Sequence, residues 1–242
     1  AIVAVDFLGN PAEFERLEVI AKRYGLLLIE DAAQGIGANI NGKKCGSFGD
    51  IAATSFFPSK PLGCYGDGGA VLTNDDEMAQ LLRSLRVHGK GIDKYHNVRI
   101  GMNSRLDTMQ AAVLLPKLKE LAVEINKRQE IAAYYEKLLR DYVVTPYVAD
   151  DSISSYAQYV VRAKDMVQRD RIRSNMQERD IPSLLYYPCP MHSMPVFQGI
   201  ETYGMNYDNT ICYSETSFGI PFSPYITKKE QEQVAKAVID AV

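Results

Sequence analysis

Two residues have types and surroundings that could do chemistry, Lys60 and Asp31. Lys60 stands between Pro58 and Pro61, and Gly63, Gly66, Gly68 and Gly69 follow. The prolines fix their own φ and restrict the residues before them, so the lysine is held in few conformations. Such glycine density permits close backbone approach to a ligand or positive φ angles. Desolvation lowers the pKa of an ammonium, and a neutral amine forms a Schiff base with a carbonyl. For a lone lysine, a place on a surface hairpin tip is the alternative. Asp31 ends the run Leu26-Leu-Leu-Ile-Glu-Asp31, in which apolar residues deliver a carboxylate to the carboxyl end of a buried parallel strand. Open α/β sheets place their ligands at that end. A pyridoxal phosphate (PLP) site needs this pair, a lysine for the Schiff base and an acid that keeps the pyridine nitrogen protonated. Asp31 can also cap the Ala32-Ala33-Gln34 segment, and both roles can hold at once.

The elements that must position these groups are legible in outline. Residues 1–7 read as a strand buried on both faces. Asn10, Pro11 and Glu13 read as N-cap, first helical residue and capping-box partner of a helix carrying Phe14, Leu17, Ile20, Ala21 and Tyr24 inward, with Gly25 as its stop. With the strand at 26–30 this makes a right-handed βαβ unit. Gly35-Ile-Gly37 lacks the third glycine of a dinucleotide fingerprint and is set aside. Asn41-Gly42 signals a turn. The β-prone run Ile51–Phe57 ends at Pro58, and Ala70–Thr73 reads as a return strand. Asn74 or Asp75 caps a helix to about Arg86 that turns Met78, Leu81, Leu82 and Leu85 inward. Residues 87–104 are polar and aperiodic, long enough to suggest binding or a subunit contact. A mostly helical stretch, 106–142, contains Pro116, which is expected to kink or split it. Beyond it a strand at 156–163, a helix at 165–179, a strand at 183–187, a proline-stiffened loop at 188–195 and a final helix opened by the Thr227/Glu230 capping box read as a small α/β domain.

Composition narrows the function classes. The 242 residues are 46% hydrophobic and 24% charged, which suits a soluble globular chain of two domains. A net charge of −3 makes nucleic acid an unsuitable partner. Apolar runs are too short to span a bilayer, and no signal peptide opens the chain. Cys45, Cys64, Cys189 and Cys212 lack metal-type spacing and suit reduced thiols in a cytoplasmic protein; the scattered His88, His96 and His192 make no metal set.

Four ordered motifs carry a resemblance: Asp31-Ala-Ala-Gln34; Ser55-Phe-Phe-Pro-Ser-Lys60-Pro-Leu-Gly63; Gly66-Asp-Gly-Gly69; and Gly101-Met-Asn-Ser-Arg105-Leu-Asp-Thr-Met-Gln-Ala-Ala112. Over nearly its whole length the chain resembles the DegT/StrS nucleotide-sugar aminotransferases, which are fold-type I PLP enzymes. The resemblance implies an α/β fold with a mixed, mostly parallel sheet. It also implies the rear part of a PLP-binding large domain over 1–105, a connecting helical region over 106–142 and a small α/β domain over 143–242. It implies a further N-terminal portion with early strands, part of the phosphate cradle and an aromatic that stacks on the cofactor. The start at Ala1, without Met and directly in a strand-like run, is read as that of a piece of a longer protein.

The site residues implied are Lys60 and Asp31 as catalytic groups, with Gln34, Ser55 and Asn103 as further contacts to PLP. Asn103 would reach the phosphate of the other subunit, which implies a homodimer with shared sites. Arg105, Tyr187 and His192 are candidates for substrate binding. Four of these have a plainer alternative: a surface amide for Gln34, a serine closing its own turn for Ser55, a structural ion pair for Arg105 and a loop histidine for His192. Relatives that dehydrate sugars carry histidine where this chain has Lys60, so the lysine points to amino transfer. The expected reaction moves an amino group from L-glutamate to a keto group of a nucleotide-linked sugar by a ping-pong route. The wording of the Lys60 motif most resembles enzymes acting on UDP-2-acetamido-3-oxo-glucuronate for surface polysaccharide, including lipopolysaccharide; 4-keto-6-deoxy sugars are the near alternative. A PLP-dependent sugar dehydratase or lyase, or a non-catalytic homologue, are the competing functions.

Overall fold

An apolar strand, an amphipathic helix and a second apolar strand open the fold: β1 (Ile2–Val5), α1 (Phe14–Tyr24) and β2 (Leu28–Asp31), with β1 and β2 parallel in the register Ile2↔Leu28 to Val5↔Asp31. The computed structural model describes residues 1–93, 95–201 and 206–242. A hairpin, β3 (Asn39–Ile40) and β4 (Lys43–Lys44), turns at Asn41-Gly42. Then β5 (Ile51–Ser55) joins β2 in parallel and β6 (Gly69–Leu72) returns antiparallel, giving the order β1-β2-β5-β6. This is the expected mixed, mostly parallel sheet. Its core holds Ala4, Ala21, Leu28 and Ile40 around Phe14 and Phe48, whose rings stack at 4.5 Å.

Two compact units are present, Ala1–Asn126 with Val148–Ala157, and Lys127–Tyr147 with Gln158–Val242. The first also contains α2 (Asp76–Leu85), capped by Asp75 as the sequence suggests, and the start of α3 (Thr108–Leu139). Residues 152–153 form β7 on the far side of β3.

Several expectations are corrected here. The first strand stops at Val5 and is buried on one face only, since Ala4 is buried while Val3 and Val5 are 62% and 45% exposed. Asn10 is not the cap of α1. A 3-10 turn at Phe7–Gly9 intervenes, the Ala12 N–H goes to Asp6 Oδ1 at 3.3 Å, and the helix begins after Glu13 without a side-chain cap. Tertiary anchors fix this entry: Ser154 Oγ and Ser155 N both donate to Gly9 O at 2.9 Å. Gly9 itself has φ +92°, and a Cβ there would lie 2.2 Å from Ser155 Oγ. On α2, Leu81 is exposed and no residue is fully buried. Helix α3 continues through Pro116 without splitting, which costs it one backbone hydrogen bond.

In the second unit β8 (Tyr159–Arg162) pairs antiparallel with β9 (Ser217–Ile220). Helices α4 (Met166–Glu178), α5 (Asp208–Thr216) and α6 (Lys228–Ile239) complete it. Neither α5 nor β9 is suggested by the sequence pattern. The strand expected at 183–187 is reduced to one bridge, Leu184↔Gly219. The core is aromatic: Tyr135, Tyr159 and Phe222 stand in series at 5.3 and 5.4 Å, and the Tyr135 hydroxyl donates to Pro221 O at 2.8 Å. Burial pushes that phenol above its ordinary range. The capping box of α6 forms as read, Thr227 with Glu230. On α4, Asp165 accepts from Gln168 N at 2.7 Å. Asp165→Ala is expected to lower stability by about 1 kcal/mol, read as a shift in the urea midpoint at unchanged slope.

Candidate active site

The parallel register sets the site. Asp31 is the last residue of β2 and pairs with Ala53; two residues on, Ser55 ends β5. Carboxylate and hydroxyl thus emerge at the same, carboxyl, end of the parallel strands, and the Lys60 turn springs from there. Ala32 N donates to Ala53 O at 2.8 Å, and Thr54 Oγ1 to Ala32 O at 3.0 Å, so the chain after Asp31 is stitched to β5.

Asp31 is half-buried; its Oδ1 accepts from Ala33 N at 3.0 Å, which is the capping role. The second oxygen remains to serve a ligand. Gln34 is buried, with Oε1 accepting from Leu8 N at 2.7 Å and its backbone O from Ser155 Oγ at 2.6 Å. The side-chain amide nitrogen is therefore the end available to a cofactor. Ser55 Oγ accepts from Phe57 N at 3.2 Å, the local turn bond; its proton can be donated elsewhere.

Lys60 is half-buried on a tightly tied loop. Lys60 N donates to Phe57 O at 2.9 Å, Cys64 N to Phe56 O at 2.8 Å and Phe56 N to Gly68 O at 2.7 Å. No carboxylate among the described residues forms an ion pair with its amine. The loop glycines serve the loop's own packing. None has positive φ, and a Cβ on Gly63 or Gly69 would lie 2.7 Å from Phe57 O or 2.6 Å from Thr54 O. Helix α3 clasps the loop from outside, where Gln110 Oε1 accepts from Tyr65 N at 2.8 Å and Lys117 Nζ donates to Gly63 O. Sequence reading missed Gln110 and Lys117; a polar residue every seventh position on an otherwise apolar helix side was the available signal.

Asn103 and Arg105 are placed apart from this cluster. Both are exposed and line a cavity of about 1130 Å³ between β5, β6 and α2 that Asp31, Gln34, Ser55 and Lys60 do not line. The Asn103 backbone bridges to Val87. Tyr187 and His192 belong to the second unit. Tyr187 is half-exposed, edge-on to Tyr186 at 5.8 Å, and the His192 ring stacks on Tyr207 at 4.2 Å. Also missed were Asp6, Glu30 and Cys45, a buried trio behind the strand ends. Their signal was an acid directly after one apolar strand and a second at an inward position of the next.

Comparison with known proteins bears on the family and the fold. The model of the DegT/DnrJ/EryC1/StrS aminotransferase family matches residues 1–239. A UDP-2-acetamido-2-deoxy-3-oxo-D-glucuronate aminotransferase of Pseudomonas aeruginosa is 46% identical over 196 residues, 81% of this chain and 54% of that protein. A dTDP-3-amino-3,4,6-trideoxy-alpha-D-glucose transaminase of Streptomyces venezuelae is 37% identical over 244 residues, covering all of this chain and 62% of that protein. The crystal structure of a DegT DnrJ EryC1 StrS aminotransferase from Brucella abortus superposes with a TM-score of 0.95 at 42% identity, over 98% of this chain and 63% of that one. This chain thus spans between half and two thirds of the length of these proteins. A sheet of this order, the register that brings Asp31 and Ser55 to one end, and a family match over almost every residue lead to one conclusion: the chain has the fold-type I architecture and belongs to the DegT/DnrJ/EryC1/StrS aminotransferase family.

Proposed function

We propose that this chain is the part of a PLP-dependent aminotransferase that holds the cofactor and the small domain, and that the whole protein moves the amino group of L-glutamate to a keto group of a nucleotide-linked sugar. The observation that carries the reading is the register of β2 on β5, which sets an acid, a hydroxyl and a lysine loop at one sheet end. The donor set suits the cofactor: a carboxylate oxygen for the ring nitrogen, an amine that no carboxylate among the described residues pairs for the aldehyde, and a hydroxyl for the phosphate. When bound, PLP supplies the electron sink and carries the amino group between donor and acceptor. Asp31 holds the ring nitrogen protonated, because a neighbouring carboxylate favours the cationic form. Lys60 holds the cofactor through its amine and, once displaced by substrate, moves protons at the reacting carbons. Gln34 orients the ring from its amide nitrogen, and Ser55 binds phosphate.

In this reading Asn103 belongs to the neighbouring subunit's phosphate site in a homodimer. The exposed apolar side chains nearby, Ile92, Ile100, Met102 and Met109, give such a contact its material. Arg105 matches a carboxylate bidentately, on glutamate or on a uronate sugar. Tyr187 and His192 supply the second unit's contacts to substrate. We assign UDP-2-acetamido-3-oxo-glucuronate as the sugar, in lipopolysaccharide or other surface polysaccharide synthesis, on the name of the P. aeruginosa relative; the dTDP-sugar enzyme at 37% identity marks another class. A cytoplasmic location fits the four free cysteines. No helix among the described residues is long and apolar enough to cross a membrane.

The test is a turnover assay with PLP, glutamate and the UDP keto-sugar, following glutamate loss and amino-sugar formation. Equal amounts of each are expected. Sugar conversion without glutamate loss would make the protein a dehydratase or lyase, and absence of cofactor uptake would make it a non-catalytic member of the family.

A further inference from the structure

Behind the strand ends that present Asp31, three buried side chains meet: Asp6 just past β1, Glu30 in β2 and Cys45 after β4, with ligating atoms all within 4.8 Å of one another. Alternation along β2 turns Glu30 away from the face that carries Asp31. Both Glu30 oxygens are occupied, Oε1 by Gly46 N–H at 2.7 Å and Oε2 by Phe48 N–H at 2.9 Å. Asp6 Oδ1 accepts from Ala12 N at 3.3 Å, while Asp6 Oδ2, fully buried, has no donor directed at it. Two carboxyl groups side by side out of water cannot both be ionised. The proton belongs on the oxygen that no N–H approaches. A metal ion is the other way to neutralise such a set, but both Glu30 oxygens already accept backbone N–H groups. Burial and the two acids push the Cys45 thiol up, so it stays protonated beside them.

We propose that Asp6 is held as a neutral carboxylic acid that donates its proton to Glu30, and that this shared proton latches the turn presenting Asp31 and Gln34. The latch is visible in the contacts around it. Asp6 N donates to Asp31 O at 3.0 Å, Gly35 packs directly on the Asp6 carboxyl, and two residues on Leu8 N holds Gln34 Oε1 at 2.7 Å. Burial, then the charge and hydrogen bond of Glu30, push Asp6 up to about 8. Glu30 and Cys45 are the titratable groups that face it among the described residues. Asp6 is thus a positioning residue. Its value to cofactor binding rests on the PLP reading above, but its protonation does not.

The sign of the pH dependence follows. The folded chain keeps a proton that the unfolded chain releases near pH 3.8, so this stabilisation is complete below that value and is lost as pH rises to about 8. Over pH 5–7 the folded-to-unfolded ratio from this group falls about tenfold per pH unit. Urea unfolding of the wild-type chain and of Asp6→Asn, whose amide can donate in place of the acid, tests this. The variant is expected to lose one proton's worth of slope; an unchanged slope would overturn the proposal. Infrared spectra of the ¹³C-aspartate-labelled wild type give a second reading that needs no variant. A protonated carboxyl at pH 6 that disappears by pH 9 supports the shared proton, and full ionisation at pH 6 refutes it. For the latch, amide exchange at Ala33 and Gly35 is expected to quicken at least about tenfold in Asp6→Ala and to return to within about twofold of wild type in Asp6→Asn. Equal rates in all three proteins, or no recovery in Asp6→Asn, would remove the positioning role. None of these measurements uses the cofactor, so this inference and the aminotransferase assignment can fail separately.

Discussion

Lys60→Ala is expected to abolish covalent retention of PLP and to lower transamination by about 10³-fold or more, combining loss of the Schiff-base amine with loss of a proton carrier that alone contributes about 10²–10⁴-fold. The measurement is borohydride reduction followed by intact mass, which should show one cofactor adduct on the wild type and none on the variant, alongside steady-state rates. Lys60→Arg is expected to fail equally, since guanidinium keeps the charge and cannot act as the nucleophile. The loop should survive both changes. Its ties run through Lys60 N, Phe56 and Cys64 backbone atoms and through Gln110, none of which uses the lysine side chain. Stability within about 0.5 kcal/mol of wild type is therefore expected, which separates lost chemistry from lost structure. A wild-type level of adduct in Lys60→Ala would assign the attachment to another amine.

Phe14→Ala is the corresponding extreme for the fold, with an expected cost of about 3–5 kcal/mol in urea or thermal unfolding. Phe14 is fully buried, its ring is stacked on Phe48 at 4.5 Å, and Ala4, Ala21 and Leu28 close around it. An alanine there leaves a cavity among short side chains that have little reach to fill it, and removes an aromatic pair contributing a further ~0.5–1.5 kcal/mol. The loss also touches function. Phe14 is the largest buried side chain of α1 in the core it shares with β1 and β2, so the strand end carrying Asp31 loosens with it. Phe57, 49% exposed beside the lysine loop, is the control, with an expected change under about 0.5 kcal/mol on truncation. Comparable effects at the two positions would show that the core does not lie where the stacking puts it.

How far the chain could be read in advance depended on the range of the forces involved. The βαβ start, the stop at Gly25, the Asn41-Gly42 turn and the Thr227 cap are local matters of backbone preference and apolar period, and the chain alone showed them. Asp31 and Ser55 were legible for a related reason, since each ends an apolar run and parallel pairing brings such ends together. What escaped was decided at long range. Asn10 looked like a cap, but Ser154 and Ser155, some 145 residues away, take hold of Gly9 instead and shift the helix start to Phe14. Residues 183–187 looked like a strand, but β9 pairs with β8 and leaves Leu184 a single bridge. Asp6 and Glu30 gave only their positions, one acid after an apolar strand and one inside the next, as a sign of their meeting, because a carboxylate beside an apolar run is ordinarily solvated and only the register of β1 on β2 brings the two together.

The way the lysine loop is packed bears on how a ligand is captured there. Gly63 lies against the Phe57 and Pro58 carbonyls, Gly69 against Thr54 O of β5, and α3 grips the loop at Tyr65 N and Gly63 O, so the chain's own contacts fix its shape. Arrival of the cofactor then has almost no chain entropy left to overcome at this loop, and affinity lost elsewhere in the site is not compounded by disorder here. The same completeness fixes where variation can enter: outward side chains such as Tyr65, 78% exposed, can drift in identity while the spine that carries them stays as it is.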